Sequence, residues 1–181
     1  MKLFFMSDIH GSAHWQTKAL ERFDQEQADT LVILGDLLYH GPRNPLPEDY
    51  NPKAVAEALN ARKDKILTVR GNCEAEVDQM MLEFPVMADY AVLFYEGRRI
   101  FATHGHNFSM DKLPPLSKGD VFIQGHTHVP VAEERGDLYV LNPGSVSIPK
   151  ENYPNSYAVL ENNRFTVKDF AGQTIKEVVF A

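Results

Sequence analysis

The residues able to do chemistry come in short blocks, each just after an apolar run. Asp8-Ile9-His10 follows the run from Lys2 to Ser7, Gly35-Asp36 follows Thr30 to Leu34, and Gly71-Asn72 follows Ile66 to Val69. Thr103-His104-Gly105-His106 comes after a run ending near Ala102, and Gly125-His126-Thr127-His128 after Val121 to Gln124. Carboxylates, imidazoles and a carboxamide oxygen together suit an intermediate divalent ion such as manganese, iron or zinc, rather than calcium or a thiolate-bound structural zinc. Asp8, His10, Asp36, Asn72, His104, His126 and His128 are too many ligands for one closed tetrahedral zinc site. They match two ions that share a carboxylate and leave positions open for water. One block alone would be weak, because Gly-Asp and Gly-Asn are ordinary turn dipeptides. Five in series, each after a candidate strand, are a much stronger signal.

Such a site needs elements that carry distant residues to one place. Lys2 to Ser7, Thr30 to Leu34 and Ile66 to Val69 read as buried strands. Between them, Ala13 to Gln25 has Trp15, Ala19, Leu20 and Phe23 at helical spacing, and Asn51-Pro52 opens a second helix through Arg62 with Val55 and Leu59 inward. This alternation predicts a largely parallel first half. The second half reads as hairpins around Glu96-Gly97-Arg98, Arg135-Gly136-Asp137 and Asn162-Asn163-Arg164, with a last strand near Ile175 to Phe180. Pro42, Pro45, Pro47 and Pro52 make Gly41 to Pro52 a loop. The expected fold is α/β (α+β), two packed mixed β-sheets flanked by helices, as one domain over residues 1–181. In open α/β sheets ligands bind at the carboxyl ends of strands, where all five blocks fall. Asp8 and His10 are two apart, so an extended backbone would aim both side chains to one side, and the same holds for His126 and His128.

The composition limits the partners. With 44% hydrophobic and 24% charged residues the chain is globular in character. A net charge of −7 argues against a nucleic-acid platform or an anionic membrane, so an anionic substrate would need a local positive centre, which bound metal ions supply. The single cysteine forms no internal disulfide, Leu3 to Met6 is too brief for a signal segment, and no stretch approaches the roughly 20 apolar residues of a membrane span. A cytoplasmic address is expected, with a homo-oligomer left open.

The series Asp-x-His, Gly-Asp, Gly-Asn, Gly-His and Gly-His-x-His resembles the calcineurin-like metallophosphoesterases. Gly35 to Asn44, Gly71-Asn72-Cys73-Glu74 and Asn142-Pro143-Gly144-Ser145-Val146-Ser147 carry a closer resemblance, to bacterial phosphodiesterases of that family, over nearly the whole chain. It implies a four-layer αββα sandwich and a small phosphodiester as substrate. Asp8, His10 and His128 would hold one ion, Asn72, His104 and His126 the other, and Asp36 would bridge them. Manganese is the first expectation, with iron, zinc or nickel as alternatives. A bridging hydroxide would be the nucleophile, with Asp36, Asn72 and His104 central to catalysis.

Further candidates surround this set. His40 and Arg43 lie in the proline-rich loop, where substrate contact and solvated charge are equally good explanations. His106 is expected beside the ligands and Asn142 near them. Cys73 departs from the wider family, many of whose members have histidine there to protonate the leaving group or steady the phosphate. Its expected role is a small semi-buried apolar residue rather than a catalytic thiol, with Glu74 an acidic residue opening the next helix. The rival functions are phosphomonoester hydrolysis by the same machinery and a non-catalytic scaffold, as in the retromer subunit that resembles these enzymes.

Overall fold

A computed structural model describes residues 1–181. The first half alternates as its pattern predicts: β1 (Leu3–Met6), α1 (Ala13–Glu26), β2 (Thr30–Ile33), α2 (Pro52–Asn60), a 3-10 turn, β3 (Ile66–Thr68) and the short α3 (Glu76–Met81). Strands follow: β4 (Tyr90–Tyr95), β5 (Arg98–Thr103), β6 (Val121–Ile123), β7 (Val131–Arg135), β8 (Leu138–Asn142), β9 (Ser156–Glu161), β10 (Arg164–Asp169) and β11 (Thr174–Val179). Ser12 caps α1 by accepting the Trp15 N–H, and Asn51 caps α2 by accepting that of Ala54. Along α1 the buried residues are Gln16, Ala19, Leu20 and Phe23, while Trp15 is half-buried and stacks on Phe170.

The strands form two mixed sheets, ordered β11-β10-β9-β1-β2-β3 and β4-β5-β6-β8-β7. β1, β2 and β3 run parallel, as do β5, β6 and β8, so the carboxyl ends of six strands share a direction within their sheets. The hairpins have two-residue turns: Tyr95 pairs with Arg98, Arg135 with Leu138 and Glu161 with Arg164. Glu96-Gly97 and Asn162-Asn163 are left-handed at both positions, the backbone that tight hairpins favour.

Alternation along the strands divides the core. Leu3 and Phe5 of β1 face Ile100, Val121, Ile123 and Leu141 of the other sheet, joined by Leu160 and Phe165. Phe4 and Met6 point the opposite way, against Leu20, Phe23, Val55 and Leu59 of α1 and α2. Beyond the second sheet, Phe101, Phe122 and Val140 are covered by Phe108, Met110, Leu113 and Leu116 of a helix-free segment. No helix is long and apolar enough to cross a membrane.

Candidate metal centre

The two sheets meet the site at one seam. The Asp8 N–H donates to the Gly35 carbonyl at 3.2 Å, His10 N–H to Asp36 at 2.9 Å and Gly11 N–H to Leu37 at 2.9 Å, so the segments after β1 and β2 stay paired. From the other sheet, His126 N–H donates to Asp8 Oδ2 at 3.1 Å and His104 Nδ1 faces the Leu34 carbonyl at 2.6 Å. Gly125 is required where these segments cross, because a Cβ there would collide with the Ser7 side chain and come within 2.9 Å of Asp8 Oδ2.

The local backbone differs from the extended one expected. Asp8, His10, Asp36, His126 and His128 all have positive φ, between 49° and 65°. The side chains of Asp8 and His10 therefore come within 3.8 Å, and those of His126 and His128 face one cleft, on left-handed segments rather than on an alternating strand. Such backbone costs roughly 1–3 kcal/mol per residue and concentrates at functional sites, where surrounding structure fixes it.

Three imidazoles are held in one tautomer. Nδ1 of His10 donates to the Tyr39 carbonyl at 2.9 Å, Nδ1 of His128 to Ile148 at 2.5 Å and Nδ1 of His104 to Leu34. Each Nε2 lone pair is thus left pointing inward, an arrangement typical of metal-ligating histidine. His128 Nε2 lies 3.2 Å from Asp8 Oδ1 and 3.4 Å from His10 Nε2, which is 3.7 Å from Asp36 Oδ2. His104 Nε2 lies 3.3 Å from Asp36 Oδ2, 3.1 Å from Asn72 Oδ1 and 3.1 Å from His126 Nδ1. Donors about 2.0–2.2 Å from a common ion stand about 3.0–3.6 Å apart; the His128 and His104 separations fall in that range, and His10 stands slightly wide, 3.7 Å from Asp36 and 3.8 Å from Asp8. Asp8 Oδ1 is fully buried with no hydrogen-bond partner, an acceptor that fits a cation.

The charges agree. Burial alone would lower His104, yet the Asp36 and Asp8 carboxylates push it up to about 9, so the two acids outweigh burial at this ring. Burial works against His128 as well, but Asp8 raises it, while burial holds His10 and His126 below the usual imidazole range. Two buried carboxylates at 0% and 2% exposure demand positive charge, whether protons or metal.

Supporting residues surround the cluster. Glu74, expected to open a helix, instead reaches behind the ligands: its Oε2 accepts the Asp36 N–H at 2.9 Å and the Gly71 N–H at 2.5 Å, and Oε1 accepts the Leu37 N–H at 2.7 Å. Helix α3 starts two residues later and takes its cap from Asp78. Asn142 donates to the Gly125 carbonyl at 2.8 Å and Thr127 Oγ1 at 3.0 Å, bracing the 125–128 segment. Ser145 and Ser147 hydroxyls both donate to the Asp8 carbonyl at 3.0 Å. Their only sequence signal was membership of the Asn142 to Ser147 block.

Asp36, Arg43, Asn44, Asn72, His126, Thr127, His128 and Lys150 line an open cleft of about 470 Å³ with no apolar wall. Arg43 therefore lies at the site, joined by Lys150, which had no readable motif. His40 does not line the cleft: its ring packs edge-on to those of Tyr39 and Tyr50. His106 stands 5.5 Å from the His104 ring, centroid to centroid, without a hydrogen bond to the cluster. Cys73 donates its N–H to Asp36 Oδ1 at 2.9 Å. Burial and the Asp36 and Glu74 carboxylates push its thiol up, away from a thiolate.

The model of the calcineurin-like phosphoesterase superfamily domain matches residues 1–164. The chain belongs to this superfamily. Membership makes it a hydrolase of phosphate esters. The phosphodiesterase YfcE of Escherichia coli K12 is 53% identical over 175 residues, 97% of this chain and 95% of that protein. A solved structure of YfcE, a phosphoesterase from E. coli, aligns with a TM-score of 0.98 at 50% identity over 100% of both chains. A phosphodiesterase of Methanocaldococcus jannaschii is 30% identical over 80% of this chain and 83% of its own. Family membership implies divalent metal use, and the donor clusters around Asp8 and Asp36 provide a place for it.

Proposed function

We propose that this phosphoesterase is a metal-dependent phosphodiesterase using two ions, manganese first. Asp8, His10 and His128 would hold one ion and Asn72, His104 and His126 the other, with Asp36 shared between the two sets. The observation that carries this reading is the convergence of three tautomer-fixed Nε2 atoms on the Asp8 and Asp36 carboxylates. The names of the relatives, phosphodiesterases in bacteria and archaea, support the substrate class.

When bound, the ions supply a water of lowered pKa and positive charge for the phosphoryl oxygens. The chain's own residues do the rest. The Tyr39, Leu34 and Ile148 carbonyls orient the imidazoles and Asp36 and Asp8 set the charge of the centre, while Glu74, Asn142, Ser145 and Ser147 keep the ligand segments from relaxing. Arg43 and Lys150, on separate loops of the cleft, attract the anionic ester from solvent. The complete donor set favours turnover over a scaffold role. Hydrolysis of a chromogenic phosphodiester in the presence of manganese, abolished by chelator, is the expected result. Absence of hydrolysis in folded, metal-loaded protein would reject the assignment.

A further inference from the structure

The polar cleft has an apolar neighbour. Leu38, Tyr39, Tyr50, Pro52, Val77 and Met81 line a groove of about 280 Å³ whose only charged lining residues are Lys53 and Asp78. Small-molecule pockets usually run from about 300 Å³ upward, so this groove suits part of a ligand rather than a whole one. It adjoins the reaction centre at Cys73. Cys73 forms part of the groove wall, and its sulfur lies within 4.8 Å of donor atoms of His10 and Asp36. Tyr39 joins the two regions a second time, since its ring borders the groove while its carbonyl holds His10.

The groove also accounts for apolar surface left in water. Tyr39, Val77 and Met81 are 41%, 59% and 44% exposed, and clustered exposed apolar side chains beside a polar site mark a binding surface. A phosphodiester brings two organic groups, and the cleft at the metal centre offers them no apolar wall. We propose that the groove seats an aryl or similarly planar apolar ester group of the substrate while the phosphoryl group lies at the donor cluster. This rests on the phosphodiesterase reading above. Tyr39 and Tyr50 supply ring surfaces for it, and Cys73, on the wall nearest the donor cluster, is a small side chain between the ring site and the phosphoryl site.

The test is calorimetric binding of phenylphosphonate and methylphosphonate to manganese-loaded protein. Both carry the same metal-seeking head, and only the first has a ring for the groove. Phenylphosphonate is expected to bind at least about 10-fold more tightly, since apolar groups in a fitted pocket are worth about 10–200-fold. Val77→Asp, which places a charge at the groove without touching the core, should reduce that ratio below about threefold and leave methylphosphonate unaffected. Met80→Asp, on the same helix but outside the groove, should keep the ratio. Equal affinities in the parent, or an undiminished ratio in Val77→Asp, would overturn the inference alone. Failure of both phosphonates to bind would overturn the metal-centre reading and this inference with it.

Discussion

Replacing Glu74 by Gln separates what the protein holds in place from what the ions hold. Oε2 takes the Asp36 and Gly71 N–H groups and Oε1 takes that of Leu37. A carboxamide has one oxygen, so in its better orientation it keeps the first two bonds and turns its own N–H₂ toward Leu37, donor against donor. A buried donor without a partner costs about 1–3 kcal/mol, and a lost bond to a charged acceptor about 1.5–3 kcal/mol. These costs overlap. Burial and the neighbouring Asp36 carboxylate also push Glu74 up to about 7, so removing its charge relieves some repulsion. The expected net loss is therefore near the lower end, about 2 kcal/mol, or roughly 4–8 °C in Tm for a domain of this size. Thermal melts of metal-free parent and variant at pH 8, where the parent Glu74 is ionised, read it directly. Manganese affinity should fall about 10–100-fold, the usual cost of disturbing a group behind the ligands. An unchanged Tm together with manganese affinity within twofold of the parent would refute the bracing role.

Asp36→Asn should damage turnover far more than His106→Asn, because Asp36 stands between both donor clusters and His106 bonds to neither; equal losses at equal metal content would contradict this. Cys73→His should raise monoester relative to diester hydrolysis, as general acid assistance is worth about 10²–10⁴-fold when well placed; an unchanged ratio on matched aryl esters would remove leaving-group protonation from the explanation. Away from the site, burial would raise Glu26, but Lys168 at 2.7 Å and Lys2 at 3.2 Å hold it below the ordinary carboxylate value of 4.5. A depressed folded pKa gives stability that is complete above pH 4.5 and lost as pH falls through the folded value, so Glu26→Gln should flatten the acid side of the stability profile. Parallel acid profiles for parent and variant would show that the pair contributes nothing.

Much of this molecule was legible because it is periodic. β1, β2, β3 and the hairpins at Glu96-Gly97 and Asn162-Asn163 follow from apolar runs and turn residues, and the two helices from the spacing of Trp15, Ala19, Leu20 and Phe23 and from Asn51-Pro52. The donor residues were legible too, as polar blocks at strand ends. What stayed hidden depends on contacts distant in sequence. Nothing near Glu74 announces that its partners are Asp36 and Leu37, and Ser145 and Ser147 find the Asp8 carbonyl only because β9 lies beside β1. The left-handed backbone at Asp8, His10, His126 and His128 was missed because these residues are not glycine. The strand-like spacing of two pointed to the correct convergence for the wrong geometric reason. The groove beside Cys73 is assembled from the segment after β2, the end of the proline-rich loop, the start of α2 and α3, a junction that no local pattern encodes.

The central claim, hydrolysis that depends on two ions in these clusters, is tested most directly by titrating manganese into rigorously stripped protein while following both bound metal and cleavage of a chromogenic diester. Turnover should be absent without metal and should rise to a plateau at two equivalents per chain, with Asp36→Asn failing to reach it. Full turnover in the stripped protein, or a plateau at one equivalent with no second ion bound, would contradict it.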